Sequence, residues 1–138
     1  MKRSVVVPVY RNEATLPALL QQIPALPHVW KGPFEVVFVI DGSPDNSFAY
    51  LKTHLRDMPF ASQLVNLSRN FGAFAAVRAG LSLATGDVVA VLAADLQQPV
   101  GSVTQFFDAL DTGADIAVGQ RASRSDPLLS RLASTLFW

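Results

Sequence analysis

At 138 residues, half of them apolar, the chain is long enough for one domain with its own core and too short for two. Eleven basic residues balance eleven acidic ones, so no charge excess argues for nucleic acid as a partner. The absence of cysteine excludes disulfides and thiolate metal sites, fits a reducing, cytoplasmic setting, and leaves oxygen ligands or histidine to hold any metal.

Met1-Lys2-Arg3 ahead of Ser4-Val5-Val6-Val7 imitates the start of a signal peptide, but Pro8 and Arg11-Asn12-Glu13 cut the apolar segment short. The run Ser4 to Pro8 reads as a first strand. Leu16, Leu19, Leu20 and Ile23 then repeat at helical spacing, with Thr15 as N-cap, Pro17 in the first turn, and Pro24 and Pro27 ending the helix. Phe34 to Ile40 is a second strand, closed by the turn residues Asp41 to Ser47; Phe48, Leu51 and Leu55 mark a second helix.

Gln63 to Leu67 is a third strand, and Ser68 to Gly72 a loop. Phe74, Val77, Leu81 and Ala84 supply the apolar stripe of a third helix, with Gly86 placed as its C′ residue. Val88 to Leu92, unalternating and Val-rich, reads as a buried parallel strand that delivers Asp95 to the sheet rim, although an aspartate there also serves as a turn or N-cap residue. Phe106, Phe107 and Leu110 suggest a fourth helix, Asp115 to Val118 a fifth strand, and Asp126-Pro127 the start of a last helix that runs to Trp138 without a cap. No apolar run approaches the ~18 residues that cross a bilayer. His28 and His54 have no partner at catalytic spacing and read as surface residues.

This alternation predicts an α/β fold, a doubly wound, mostly parallel sheet with helices on both faces. Ligands of such sheets bind beyond the carboxyl ends of the strands, where strand order reverses. The residues just past those ends are Tyr10 to Glu13, Asp41, Arg69 to Gly72, Asp95 to Gln98, and Gly119 to Arg121. They are polar enough to suit a nucleotide, with a cation on Asp95 and Gln97 for a diphosphate. Two oxygen donors match Mg²⁺ or Mn²⁺ that keeps several waters, and do not match Zn²⁺. A G-x-G-x-x-G fingerprint after the first strand and a G-x-x-x-x-G-K-S/T phosphate loop are both missing, which disfavours the two commonest nucleotide folds of this architecture.

Taken together, Val5-Val6-Val7-Pro8-Val9-Tyr10, Asp41-Gly42-Ser43-Pro44-Asp45, Leu67-Ser68-Arg69-Asn70-Phe71-Gly72 and Ala94-Asp95-Leu96-Gln97-Gln98-Pro99 resemble the family 2 glycosyltransferases, most of all the dolichyl- and polyprenyl-phosphate sugar synthases. The match covers nearly the whole chain in order. It implies the GT-A fold, of nucleotide-diphospho-sugar transferase type, and metal-dependent transfer from a UDP- or GDP-sugar to an acceptor such as a polyprenyl phosphate. In such enzymes residues matching Pro8, Tyr10, Val39 and Asp41 hold the nucleoside, and Ala93 and Ala94 lie beside the nucleotide. Residues matching Asp95 and Gln97 hold the metal, which makes Asp95 the catalytic carboxylate, and Arg121 faces phosphate.

The chain departs from the family pattern where a D-x-D motif would begin, at Ala93, and where Tyr-Asn-Glu falls on Tyr10-Arg11-Asn12. The family's glutamate is therefore either replaced by Asn12 or supplied by Glu13. Such enzymes continue past the position of Trp138, so residues 1–138 read as the N-terminal nucleotide-sugar-binding part of a catalytic domain, truncated within a helix. The complete protein is expected at the cytoplasmic face of a membrane, and the terminal apolar helix is expected to seek a homodimer or the membrane surface. The rival reading is a non-catalytic nucleotide-binding or dimerisation module. A nucleotidyltransferase would want a Gly-rich basic loop where Val9 to Asn12 stands.

Overall fold

The two longest Val-rich runs form the middle of the sheet, as uninterrupted apolar sequence requires of strands covered on both faces. The structure, a computed structural model, describes residues 1–27 and 32–120. Among these, strands and helices alternate as β1 (Arg3–Val9), α1 (Leu16–Gln22), β2 (Phe34–Ile40), α2 (Ser47–His54), β3 (Ala61–Asn66), α3 (Ala73–Leu83), β4 (Val88–Val91) and α4 (Ser102–Asp111). All pairings are parallel in the order β3-β2-β1-β4, with Arg3 opposite both Phe34 and Val88.

Alternate residues of the central strands enter two separate cores. Val5, Val7, Val9, Val36, Phe38 and Ile40 pack with Leu16, Leu19, Leu51, Val103 and Phe107, so α1, α2 and α4 cover one face. Val6, Val37 and Val39 pack on the other face with Ala76 of α3. The connection from β3 to β4 crosses back over β2 and β1, which places the strand-order reversal between β1 and β4. The doubly wound α/β fold expected of the sequence is the fold observed.

Several local expectations give way. Helix α3 does not bury Phe74, Val77 and Leu81; its buried positions are Ala76 and Gly80, and Phe74 is 90% exposed. Close approach explains this, since a Cβ on Gly80 would lie 2.3 Å from Val6 Cγ1, and only the small-residue face fits against the sheet. Gly86 is not a helix C′ residue, because α3 is capped at Ala84. It lies against β1, where a Cβ would meet Ser4 Oγ at 2.5 Å. Thr15 occupies the N-cap of α1 without capping it; its hydroxyl donates instead to the carbonyls of Asn12 and, at 2.6 Å, Ala94.

Strand β4 is an edge strand among the described residues, half-buried and with Val91 exposed, rather than the buried strand its sequence suggests. Asp115 to Val118 forms no strand: the segment runs irregularly, and Ile116 and Val118 are exposed. An alternating run becomes a strand only when a neighbour pairs with it, and an open groove of about 1140 Å³ lined by β4, α4 and residues 115–120 lies between. His54 is on the surface, stacked on Tyr50 with centroids 3.9 Å apart. Arg121, His28 and the helix expected from Asp126 lie outside the described residues.

At the amino end of the sheet, the buried Glu35 carboxylate ties three segments together. Its Oε1 accepts from Ser4 Oγ (2.7 Å), Thr85 N (2.6 Å) and Thr85 Oγ1 (2.9 Å), and Oε2 faces Lys2 Nζ at 3.4 Å. Burial raises the carboxyl pKa, but those donors and the Lys2 charge outweigh it and hold the group at about 2, below its ordinary 4.5. A carboxylate depressed in the folded state contributes stability that is complete above the unfolded value, so this contribution is lost as pH falls from 4.5 towards 2. Glu35→Gln is expected to cost ~2 kcal/mol at neutral pH, since hydrogen bonds to a charged group are weakened. Chemical denaturation across that pH range checks it: the variant's acid limb should be shallower than the parent's.

Candidate functional site

A cavity of about 270 Å³ opens where strand order reverses, lined by Pro8 at the end of β1, Tyr10 and Asn12 after it, Asp41 after β2, Asn70, Gly72, Ala73 and Ala76 around the start of α3, and Ala93 to Asp95 after β4. Parallel strands end together, so loops separated widely in sequence converge there.

Asp41 forms its floor. The residue is 3% exposed, and its carboxylate accepts from Phe71 N at 2.8 Å and Gly72 N at 3.1 Å, the last two N–H groups before α3. Each carboxylate oxygen keeps a second lone pair for a ligand donor. Gly42 makes this geometry attainable. Its φ of +61° and the approach of the Arg69 and Asn70 backbone, 2.2 Å from where a Cβ would stand, leave no room for a side chain.

On the opposite wall, Tyr10 is 41% exposed and offers its ring at the rim. Arg11 adopts a left-handed φ of 54°, a conformation that asparagine tolerates better than arginine. Asn12 Oδ1 accepts from Tyr10 N at 2.9 Å, which folds the loop back over the cavity. Of the two candidates for the family's glutamate, Asn12 lines the cavity and Glu13 does not. Glu13 instead accepts from Asn46 N and Nδ2 at 3.2 and 3.3 Å, while Asp45 accepts from Glu13 N. Burial raises the Asp45 pKa, but the Ser43 hydroxyl and the Ser47 and Glu13 N–H groups bring it down to about 2, so the clasp between these loops holds an ionised carboxylate.

Val39 is another departure. It is fully buried against α3, outside the lining, because as the penultimate residue of β2 its side chain points to the sheet face rather than past the strand end. Pro8, Ala93 and Ala94 do line the cavity. Sequence reasoning missed Ala73, Ala76, Gly42 and Thr15, whose contribution is small size or a backbone contact that leaves no chemical signature.

Asp95 stands exposed at the rim, shared between the cavity and the groove beside β4, with Oδ1 accepting from Gln97 N at 3.1 Å around Leu96 at φ 60°. Gln97 lines the groove only. Among the described residues no three His, Cys, Asp or Glu side chains are grouped as a metal site. A single exposed carboxylate with a nearby amide is nevertheless the donor set that suits Mg²⁺ or Mn²⁺, which take one or two carboxylates, several waters and the oxygens of a diphosphate.

Residues 4–136 match the family described as Glycosyl transferase family 2. The chain belongs to that family. Relatives above 30% identity include the undecaprenyl-phosphate 4-deoxy-4-formamido-L-arabinose transferases of Serratia proteamaculans (37% over 136 residues, 98% of this chain and 41% of the relative) and Pectobacterium atrosepticum (38% over 131 residues, 95% and 40%). The chain thus spans about two fifths of the length of these family members. Among solved structures, S. aureus TarS 1-349 superposes with a TM-score of 0.66 at 20% identity, over 91% of this chain and 40% of that one. The mannosyltransferase PcManGT from Pyrobaculum calidifontis, in complex with GDP-Man and Mn²⁺, gives 0.66 at 26% identity, over 85% and 33%. The sheet is the GT-A fold of this glycosyltransferase family. No helix among the described residues is long and apolar enough to cross a membrane.

Proposed function

We propose that this chain carries the donor site of a glycosyltransferase that moves a sugar from a UDP- or GDP-sugar to a polyprenyl phosphate. The reading rests on the cavity at the strand-order reversal, with Asp41 on its floor and Asp95 at its rim. The PcManGT complex with GDP-Man and Mn²⁺ and the undecaprenyl-phosphate relatives support the donor and acceptor classes.

Tyr10 stacks against the base, and Asp41 accepts a hydrogen bond from the nucleoside while holding the start of α3 in place. Asp95, with Gln97 beside it, would hold the divalent cation. A divalent cation held there would supply neutralisation of the charge that develops on the departing nucleotide. Ala93 adds no carboxylate, so Asp95 is the one carboxylate that residues 93–99 offer the metal. A phosphate acceptor is anionic near neutral pH and needs no strong general base; the carboxylates lining the cavity, Asp41 and Asp95, are both engaged otherwise. The resemblance assigns Arg121 to the phosphate of acceptor or donor, and the transfer it implies takes place at a cytoplasmic membrane face.

Calorimetric titration with UDP and GDP, with Mn²⁺ and with chelator, tests the donor site. One nucleotide is expected to bind at least ~10-fold tighter with metal, a gain of ~1.4 kcal/mol. Mn²⁺ without nucleotide is expected to bind weakly. No heat with either nucleotide at millimolar concentration would sink the proposal.

A further inference from the structure

Helix α3 turns its small residues to the sheet and its large apolar ones outward. Phe74 is 90% exposed, Leu81 44% and Phe71 47%, and Phe74, Arg78 and Leu81 recur at the i, i+4, i+7 spacing of one helical face. Charge on this part of the chain has one sign: residues 58–86 hold Arg69 and Arg78 and no acid. Arg69 lies over the Phe71 ring, 4.3 Å from its centroid, so cation and aromatic form one surface. The same segment lines the donor cavity through Asn70, Gly72 and Ala73.

We propose that the outward face of α3 and of the loop that precedes it, with Phe71, Phe74 and Leu81 as apolar contacts and Arg69 and Arg78 as cations, docks on an anionic lipid surface. Aromatic and leucine side chains flanked by arginine are the composition of a helix that lies in the headgroup region. A second copy of the chain fits less well. A two-fold α3 contact would bring Arg78 towards its own counterpart, and the helix carries no acid to separate the like charges. Docking sets the donor cavity about one helix diameter, ~10 Å, from the lipid. Resting on the proposed polyprenyl-phosphate acceptor, this deepens that reading: the acceptor's phosphate reaches the cavity over the start of α3 without leaving the bilayer surface.

The test is cosedimentation of the 138-residue chain with phosphatidylcholine vesicles with and without phosphatidylglycerol, alongside its Phe74→Ser/Leu81→Ser and Arg78→Gln variants. None of these side chains lines the cavity, so nucleotide affinity reports whether each variant is folded. The parent is expected to bind phosphatidylglycerol vesicles, the double variant to lose at least ~10-fold of its partitioning and Arg78→Gln ~5-fold, with nucleotide affinity unchanged. Absence of parent binding, or equal binding by the double variant, overturns the proposal. So does a parent dimer, seen by light scattering, that the double variant dissociates while vesicle binding is absent, which assigns the face to a second copy. Vesicle binding without nucleotide binding would leave the docking face standing and remove the donor site; the reverse would do the opposite.

Discussion

Asp95→Asn is expected to bring the Mn²⁺-supported affinity for nucleoside diphosphate down to its metal-free value and, on the proposed function, to lower sugar transfer ~10²–10³-fold, the loss found when one stabiliser of developing charge is removed. Asparagine keeps an oxygen to accept from Gln97 N, so the turn around Leu96 survives and the charge alone is lost. Stability should hardly change, because substitution of an exposed side chain away from packing contacts costs within ~0.5 kcal/mol. Titrations in Mn²⁺ and in chelator, compared between parent and variant, decide the matter. An undiminished Mn²⁺ effect in the variant would move the cation to other ligands.

Gly42→Ala is expected to damage both fold and site. A Cβ there would stand 2.2 Å from Arg69 C and Asn70 N, and the φ of +61° is itself unfavourable for alanine. Backbone cannot rotate aside as a side chain would, so the 69–72 loop must move, at ~2–4 kcal/mol. Asp41 then loses the Phe71 and Gly72 N–H groups, leaving a buried carboxylate short of donors. The melting temperature should fall by roughly 10 °C, and nucleotide affinity should fall in parallel with or without metal. A variant that melts with the parent would show that the loop is not seated on Gly42.

The central strands were legible because burial on both faces leaves little room for polar residues, and Val5 to Val7 and Val36 to Ile40 obey that plainly. So was the set of residues past the strand ends: Tyr10, Asn12, Asp41, Asn70, Gly72 and Asp95 meet in one cavity. Helix α3 was misread for a physical reason. Periodicity weights Phe74, Val77 and Leu81 as the buried stripe, whereas a helix pressed close to a sheet selects for lack of volume, at Ala76 and Gly80. Glu13 and Asn12 are adjacent acceptors after one strand, and only the turn of the backbone at Arg11 decides that one faces the cavity and the other the start of α2. Asp115 to Val118 has a strand's alternation, but pairing is a property of two segments and is not written in one.

The seam between β1 and β4 joins residues about 85 positions apart, against about 31 for β1 and β2. Bringing such distant segments together costs more chain entropy, though only slowly more with length. The side chains that secure the seam beyond its short ladder are few, among them Thr15 reaching the Ala94 carbonyl. A nucleotide bound across it, touching Tyr10 on one side and Asp95 on the other, would act as a non-covalent clasp on the longest loop closure in the sheet. Donor binding would then suppress partial opening of β4 far more than fraying of β3, so that occupancy of the site and mechanical integrity of that edge become one equilibrium.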